Sequence, residues 1–100
     1  VIRGEVYEYT IGNLRARIVV VSANPYNPQR ATFAVILGAD VPTPKSPSLV
    51  PLAAGDPTRG TIDMTRLRPL TRENLGARIG RLTRTTLVAV DDALRTYLGL

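Results

Sequence analysis

Gly4-Glu5-Val6-Tyr7-Glu8-Tyr9-Thr10-Ile11-Gly12-Asn13-Leu14-Arg15-Ala16-Arg17-Ile18-Val19-Val20-Val21-Ser22-Ala23 holds two apolar patterns on either side of a turn signal. In residues 4–11 Val6 is flanked by Glu5 and Tyr7, and Glu8 by Tyr7 and Tyr9, the aromatic-rich alternation of a half-buried strand. Gly12-Asn13 marks a turn. Residues 15–23 carry a β-branched run, which suits a buried strand. Side chains alternate across a strand, so Arg15 and Arg17 share a face and can point into one groove.

Outward from this pair, Asn24-Pro25-Tyr26-Asn27-Pro28 is dense in turn formers, so the chain leaves the sheet there. Residues 31–37 read as a third apolar strand that ends at Gly38. Residues 38–48 hold Pro42, Pro44 and Pro47 and form a loop. A short strand at 48–52, a loop at 54–60 and a strand at 61–67 follow, the last with Ile62 and Met64 on one face. Thr71 to Gly76 reads as one helical turn, capped by Thr71 and stopped by Gly76. A last strand is expected at 78–82. Thr83 then caps a helix of about four turns. Leu87, Val90, Leu94 and Leu98 form its apolar stripe, and Gly99 stops it. The expected architecture is mainly β with helices: one domain over residues 1–100, a small curled sheet or barrel ending in a helix.

Composition narrows the chemistry. Apolar residues make up 44% of the 100, a value for a chain with a core. There is no cysteine and no histidine, which excludes disulfides, thiolate or imidazole metal sites, and serine–histidine or cysteine–histidine nucleophiles. Acid–base work would fall to carboxylates, tyrosine, arginine or hydroxyls. No metal or cofactor is expected. The clearest apolar run, Ile18-Val19-Val20-Val21, is far short of the ~20 residues that span a bilayer. Val1-Ile2-Arg3-Gly4-Glu5 does not resemble a signal peptide, so a cytoplasmic location is expected. Net charge is +5, and all thirteen basic residues except Lys45 are arginine. That suits phosphate or acidic protein partners, although a GC-rich genome would give the same bias.

Four stretches, in order along the chain, resemble the MazF/PemK toxin family. They are Arg3-Gly4-Glu5-Val6-Tyr7; Val19-Val20-Val21-Ser22-Ala23-Asn24-Pro25-Tyr26-Asn27; Asn74-Leu75-Gly76-Ala77-Arg78-Ile79-Gly80-Arg81-Leu82-Thr83; and Val90-Asp91-Asp92-Ala93-Leu94-Arg95-Thr96-Tyr97-Leu98-Gly99-Leu100. The resemblance implies a small SH3-like, CcdB/MazF-type, partly open β-barrel with a C-terminal α-helix, assembled as a homodimer. It implies a toxin of a type II toxin–antitoxin system. Its activity would be metal-independent cleavage of single-stranded RNA (mRNA) at short motifs, through 2′-hydroxyl attack giving a cyclic phosphate, which stops translation and growth. An acidic cognate antitoxin would cover the RNA-accepting face.

The family places an arginine just before its second strand and a hydroxyl residue after its third. Arg17 and Arg15 are the two candidates for the catalytic arginine, which would stabilise charge building on the phosphate. At the hydroxyl position this chain has Gly38-Ala39, with Thr43 or Ser46 as substitutes if the loop folds back. The loop between the first two strands is short, Gly12-Asn13-Leu14 replacing a longer one that contains glutamate. Asn13, Tyr26, Thr43, Ser46, Arg66, Arg68 and Arg78 are the candidate RNA contacts, Tyr26 by stacking. Asp63 is read as bonding a loop rather than as catalytic. The alternative is a binding-only member of the same fold, either a gyrase-poison-like toxin or a catalytically lapsed RNA- or protein-binding barrel.

Overall fold

The computed structural model describes residues 1–26, 28–42 and 44–100. Six antiparallel strands form one sheet: β1 (Glu5–Ile11), β2 (Leu14–Val20), β3 (Thr32–Leu37), β4 (Leu49–Pro51), β5 (Thr61–Pro69) and β6 (Leu75–Arg81). Their order across the sheet is β4-β5-β3-β2-β1-β6. A helix, α1 (Arg84–Leu98), follows β6. The outer strands β4 and β6 do not pair, so the curled sheet is a partly open barrel, as expected.

The β1–β2 hairpin closes on the two residues Gly12-Asn13, with Ile11 opposite Leu14. That turn fixes the whole register, including Val6 opposite Val19 and Glu8 opposite Arg17. Val6, Val19, Val21, Ala34, Ile36, Val50, Ile62, Met64 and Leu82 form the main core, which Val90 and Ala93 of α1 complete. The opposite sheet face carries a smaller core of Tyr9, Ile18 and Phe33, with Tyr7 packed against it. The Tyr9 and Phe33 rings lie 4.6 Å apart and tilted, and the Tyr9 hydroxyl accepts a bond from the Thr71 amide.

β5 bends sharply. One step along β3, from Ala34 to Val35, is matched on β5 by the passage from Leu67 to Asp63. Met64, Thr65 and Arg66 therefore bulge out of the ladder. The buried Asp63 carboxylate holds the bulge, accepting from the Thr65 amide at 3.0 Å, the Thr65 hydroxyl at 2.6 Å and Arg66 Nε at 3.1 Å. The expectation that Asp63 bonds a loop is corrected: its partners Thr65 and Arg66 belong to its own strand, where the bulge brings them back onto the carboxylate.

Three further local expectations are corrected. Residues 72–74 form a 3-10 turn in which the Thr71 side chain makes no capping bond, so the turn is not a capped helix. Gly76 does not stop that turn, because β6 already begins at Leu75. A Cβ on Gly76 would come within 3.1 Å of the Glu8 carbonyl oxygen, and this close strand approach explains the glycine. On α1, Val90 is buried and Leu87 and Leu94 pack against the core as expected, but Leu98 is 53% exposed, and Thr86 and Ala93 complete the buried face. Thr83 caps α1 as expected, its hydroxyl accepting from the Thr86 amide. Among the described residues no helix is long and apolar enough to cross a membrane.

Candidate active site

Arg15, Arg17 and Val19 share one face of β2, and Val21 joins Val19 in the main core just past the strand's end. The valine end is buried in the core and the arginine end is open, so a single strand face is core at one end and groove at the other. The open end is a groove of about 620 Å³ lined by Glu8, Arg15, Arg17, Ile36, Gly38 and Val41 among others. Arg15 is exposed and Arg17 is half-buried. The expected sharing of a face by these two arginines thus becomes the sharing of a groove.

Arg17 is the more constrained of the two. Its Nη1 donates to the hydroxyl of Thr58, which lies in the loop before β5. Its Nη2 lies 4.0 Å from where a Cβ on Gly38 would stand. Across the ladder it faces Glu8, and directly opposed strand positions have Cβ atoms about 5 Å apart. Glu8 is exposed and carries no hydrogen bond or ion pair among the described residues. The groove therefore holds a fixed, partly desolvated guanidinium beside an uncommitted carboxylate.

Basic charge continues around Leu14 and Ala16. These residues and Arg15 also line a second cavity, of about 230 Å³, together with Arg66 and Arg68. Arg15 lines both cavities, whereas Arg66 and Arg68 line only the second, whose Ile11 and Val35 pack with the smaller core on the other sheet face. Arg66 spends part of its charge on Asp63.

The other candidates lie elsewhere. Asn13 is exposed at the hairpin tip and lines neither cavity. Tyr26 is 66% exposed on a 3-10 turn beyond the far end of β2. Ser46 lines a neighbouring groove with Ser48, Asp63 and Arg66, and its hydroxyl bonds Ser48 at 3.0 Å. Thr43 lies outside the described residues.

Arg78 pairs with Glu5 on β1. Burial alone would push the Glu5 carboxyl up, but bonds from the Tyr7 hydroxyl, the Ile2 amide and Arg78 outweigh it and hold it below its ordinary value. That arrangement ties Arg78 to fold maintenance. No cluster of potential metal ligands occurs among the described residues.

Two groups of the groove were absent from the sequence candidates. Glu8 was within reach of sequence reasoning, since a two-residue turn at Gly12-Asn13 puts it opposite Arg17. Thr58 was not, because only the path of the whole chain brings residue 58 to residue 17.

A family model described as PemK-like, MazF-like toxin of type II toxin–antitoxin system matches residues 3–98. The chain belongs to this toxin family. The toxin is 30% identical over 100 residues to proteins named endoribonuclease MazF4 of Mycobacterium tuberculosis and endoribonuclease MazF1 of Mycobacterium bovis, with 99% of this chain and 93% of each relative covered. Among solved structures, an endoribonuclease in complex with its cognate antitoxin from a mycobacterial species superposes with a TM-score of 0.92 at 25% identity, covering 100% of this chain and 96% of that one. The MazE–MazF complex of Deinococcus radiodurans gives 0.83 at 18% identity, over 100% and 96% of the two chains, and speaks for the fold alone.

Proposed function

We propose that this toxin is an endoribonuclease that cuts single-stranded RNA in the Arg17 groove without a metal, and so halts translation in the cytoplasm. The observation that carries this is the half-buried Arg17 guanidinium, bonded and held beside the unpaired Glu8 on the floor of an open groove. The mycobacterial relatives named as endoribonucleases support the reaction class. Arg15, Arg66 and Arg68 bind the RNA backbone on either side.

The chemistry needs few groups. Arg17 donates to the scissile phosphate as negative charge accumulates on its oxygens. Glu8 takes the proton of the adjacent 2′-hydroxyl, whose oxygen then bonds to phosphorus. The bond from phosphorus to the 5′-oxygen breaks, that oxygen takes a proton from water, and Glu8 returns its own proton to the solvent. The products are a 2′,3′-cyclic phosphate and a 5′-hydroxyl end.

The same proposal carries a single domain over residues 1–100, a homodimer, and an acidic antitoxin that neutralises the arginines of the groove. A mycobacterial neighbour solved with its cognate antitoxin supports the last of these. Leu14 and Val41, 73% and 48% exposed on the groove lining, support a second copy or an antitoxin segment as its cover.

The test is incubation of the purified chain with a long messenger RNA in excess chelator, with both ends of the fragments analysed. Cyclic-phosphate and 5′-hydroxyl ends are expected. RNA that is bound but stays intact would leave the toxin a binding-only member of the fold.

A further inference from the structure

The Arg17–Thr58 bond lies where two cavities meet. Arg17 and Gly38 line one, of about 620 Å³; Thr58 and Ala39 line the other, of about 680 Å³. Thr58 is half-buried and its oxygen accepts from Arg17. A threonine hydroxyl has one proton to donate as well as lone pairs to accept with. With Arg17 occupying the acceptor side, the hydroxyl proton is left for an anion seated on the guanidinium.

The loop around Thr58 is held on every side. The Asp56 carboxylate accepts from the Ala53 amide at 2.8 Å, the Thr83 amide at 2.9 Å and the Thr86 hydroxyl at 2.6 Å, which ties the loop to the start of α1. Pro57 rests on Gly80 of β6, where an added Cβ would come within 2.5 Å of the proline. Gly60, with φ at 134°, backs onto the Leu37 carbonyl, which a Cβ would meet at 2.1 Å. A surface loop with no chemical duty does not require anchors on α1, β3 and β6 for a five-residue stretch. A group that must be positioned within a fraction of an ångström does.

We propose that Thr58 is a catalytic residue of the groove: its hydroxyl, seated on the Arg17 guanidinium, donates to a non-bridging oxygen of the scissile phosphate. This rests on the endoribonuclease activity proposed above. Thr58 transfers no proton. Its bond strengthens as the phosphate gains charge, so its contribution falls on the chemical step.

The experiment measures kcat and KM for RNA cleavage by the full chain and by Thr58→Val, Thr58→Ser and Thr58→Ala, with melting temperatures alongside. Thr58→Val is expected to lower kcat about 100-fold with KM changed less than about threefold, and Thr58→Ser to stay within about fivefold of the wild type. A phosphorothioate at the cleaved bond adds a readout that a purely structural threonine would not move. The wild type is expected to distinguish the two diastereomers, and Thr58→Val to narrow that difference.

If Thr58→Val melts early, the decision passes to Thr58→Ser against Thr58→Ala, which are similar in size. Loss in alanine alone supports the proposal. Equal activity or equal loss in the two overturns it, as does a Thr58→Val enzyme that cleaves at more than about a third of the wild-type rate or keeps the full diastereomer preference. A wild-type chain that cuts no RNA would overturn the activity itself, a failure distinct from that of Thr58.

Discussion

At the residue scale, Arg17 and Arg15 are two alternate positions on one strand with unequal surroundings. Arg17 is half-buried, bonded to Thr58 and opposite Glu8, whereas Arg15 is exposed between two cavities. A guanidinium held in a partly desolvated site stabilises developing charge more than one that must be ordered first. Arg15→Ala is therefore expected to raise KM several-fold and reduce the salt dependence of binding, with kcat held within about threefold. Glu8→Gln is expected to cut kcat by about 100-fold and leave RNA affinity unchanged or tighter, since a negative charge leaves the groove. Steady-state kinetics and filter binding at two salt concentrations check both. Arg15 and Arg17 were legible as a pair from alternation alone. Their unequal surroundings were not legible there, since Thr58 behind Arg17 comes from 41 residues away.

At the scale of elements, the loop at 53–60 links the site to the helix. Asp56 accepts three bonds that satisfy two backbone amides and the Thr86 hydroxyl. Removing the carboxylate leaves those donors unpaired, so Asp56→Ala is expected to cost about 2–3 kcal/mol and to slow cleavage by releasing Thr58. Thr83→Ala removes the cap of α1 and the hydroxyl's bonds to Thr86 and Asp56 but leaves the Asp56 carboxylate in place, so it is expected to cost about 1 kcal/mol and to slow cleavage less than Asp56→Ala. Chemical denaturation and cleavage assays on the two variants separate these effects. The β1–β2 hairpin, the β3 strand and the capped helix were legible because each has its own periodicity and punctuation. The β5 bulge was not, since Met64, Thr65 and Arg66 look like ordinary strand residues and only Asp63, by bonding back to them, makes the bend. Gly76 misled for a similar reason. A glycine after a turn reads as a helix stop, whereas here it admits the Glu8 backbone.

At the scale of the whole molecule, two partly buried carboxylates make stability depend on acid. For Asp56, as for Glu5, burial raises the carboxyl, but hydrogen bonds, here from Thr86, Ala53 and Thr83, outweigh it and hold the group below its ordinary value. A carboxyl lowered in the folded state binds protons more weakly there than in the unfolded chain. Its contribution is therefore present above the unfolded value and is lost as pH falls through the folded one. The melting temperature is expected to hold near neutral pH and to fall from roughly pH 4 downward. Asp56→Asn should flatten part of that fall, as thermal melts across pH would register. The same scale explains why the activity was harder to read than the family. Family membership is carried by segments spread from residue 3 to residue 98, whereas the groove draws on β1, β2, the end of β3 and a loop that meet only once the sheet has curled.

The most direct test of the claim that this groove cleaves RNA is single-turnover cleavage in excess chelator by the wild-type chain and by Arg17→Ala, with RNA affinity measured on both. The expected result is metal-independent cutting by the wild type, with Arg17→Ala slower by at least about 100-fold and binding weaker by less than about tenfold. An Arg17→Ala chain that cuts as fast as the wild type, or a wild-type chain that binds RNA and leaves it whole, would contradict the account.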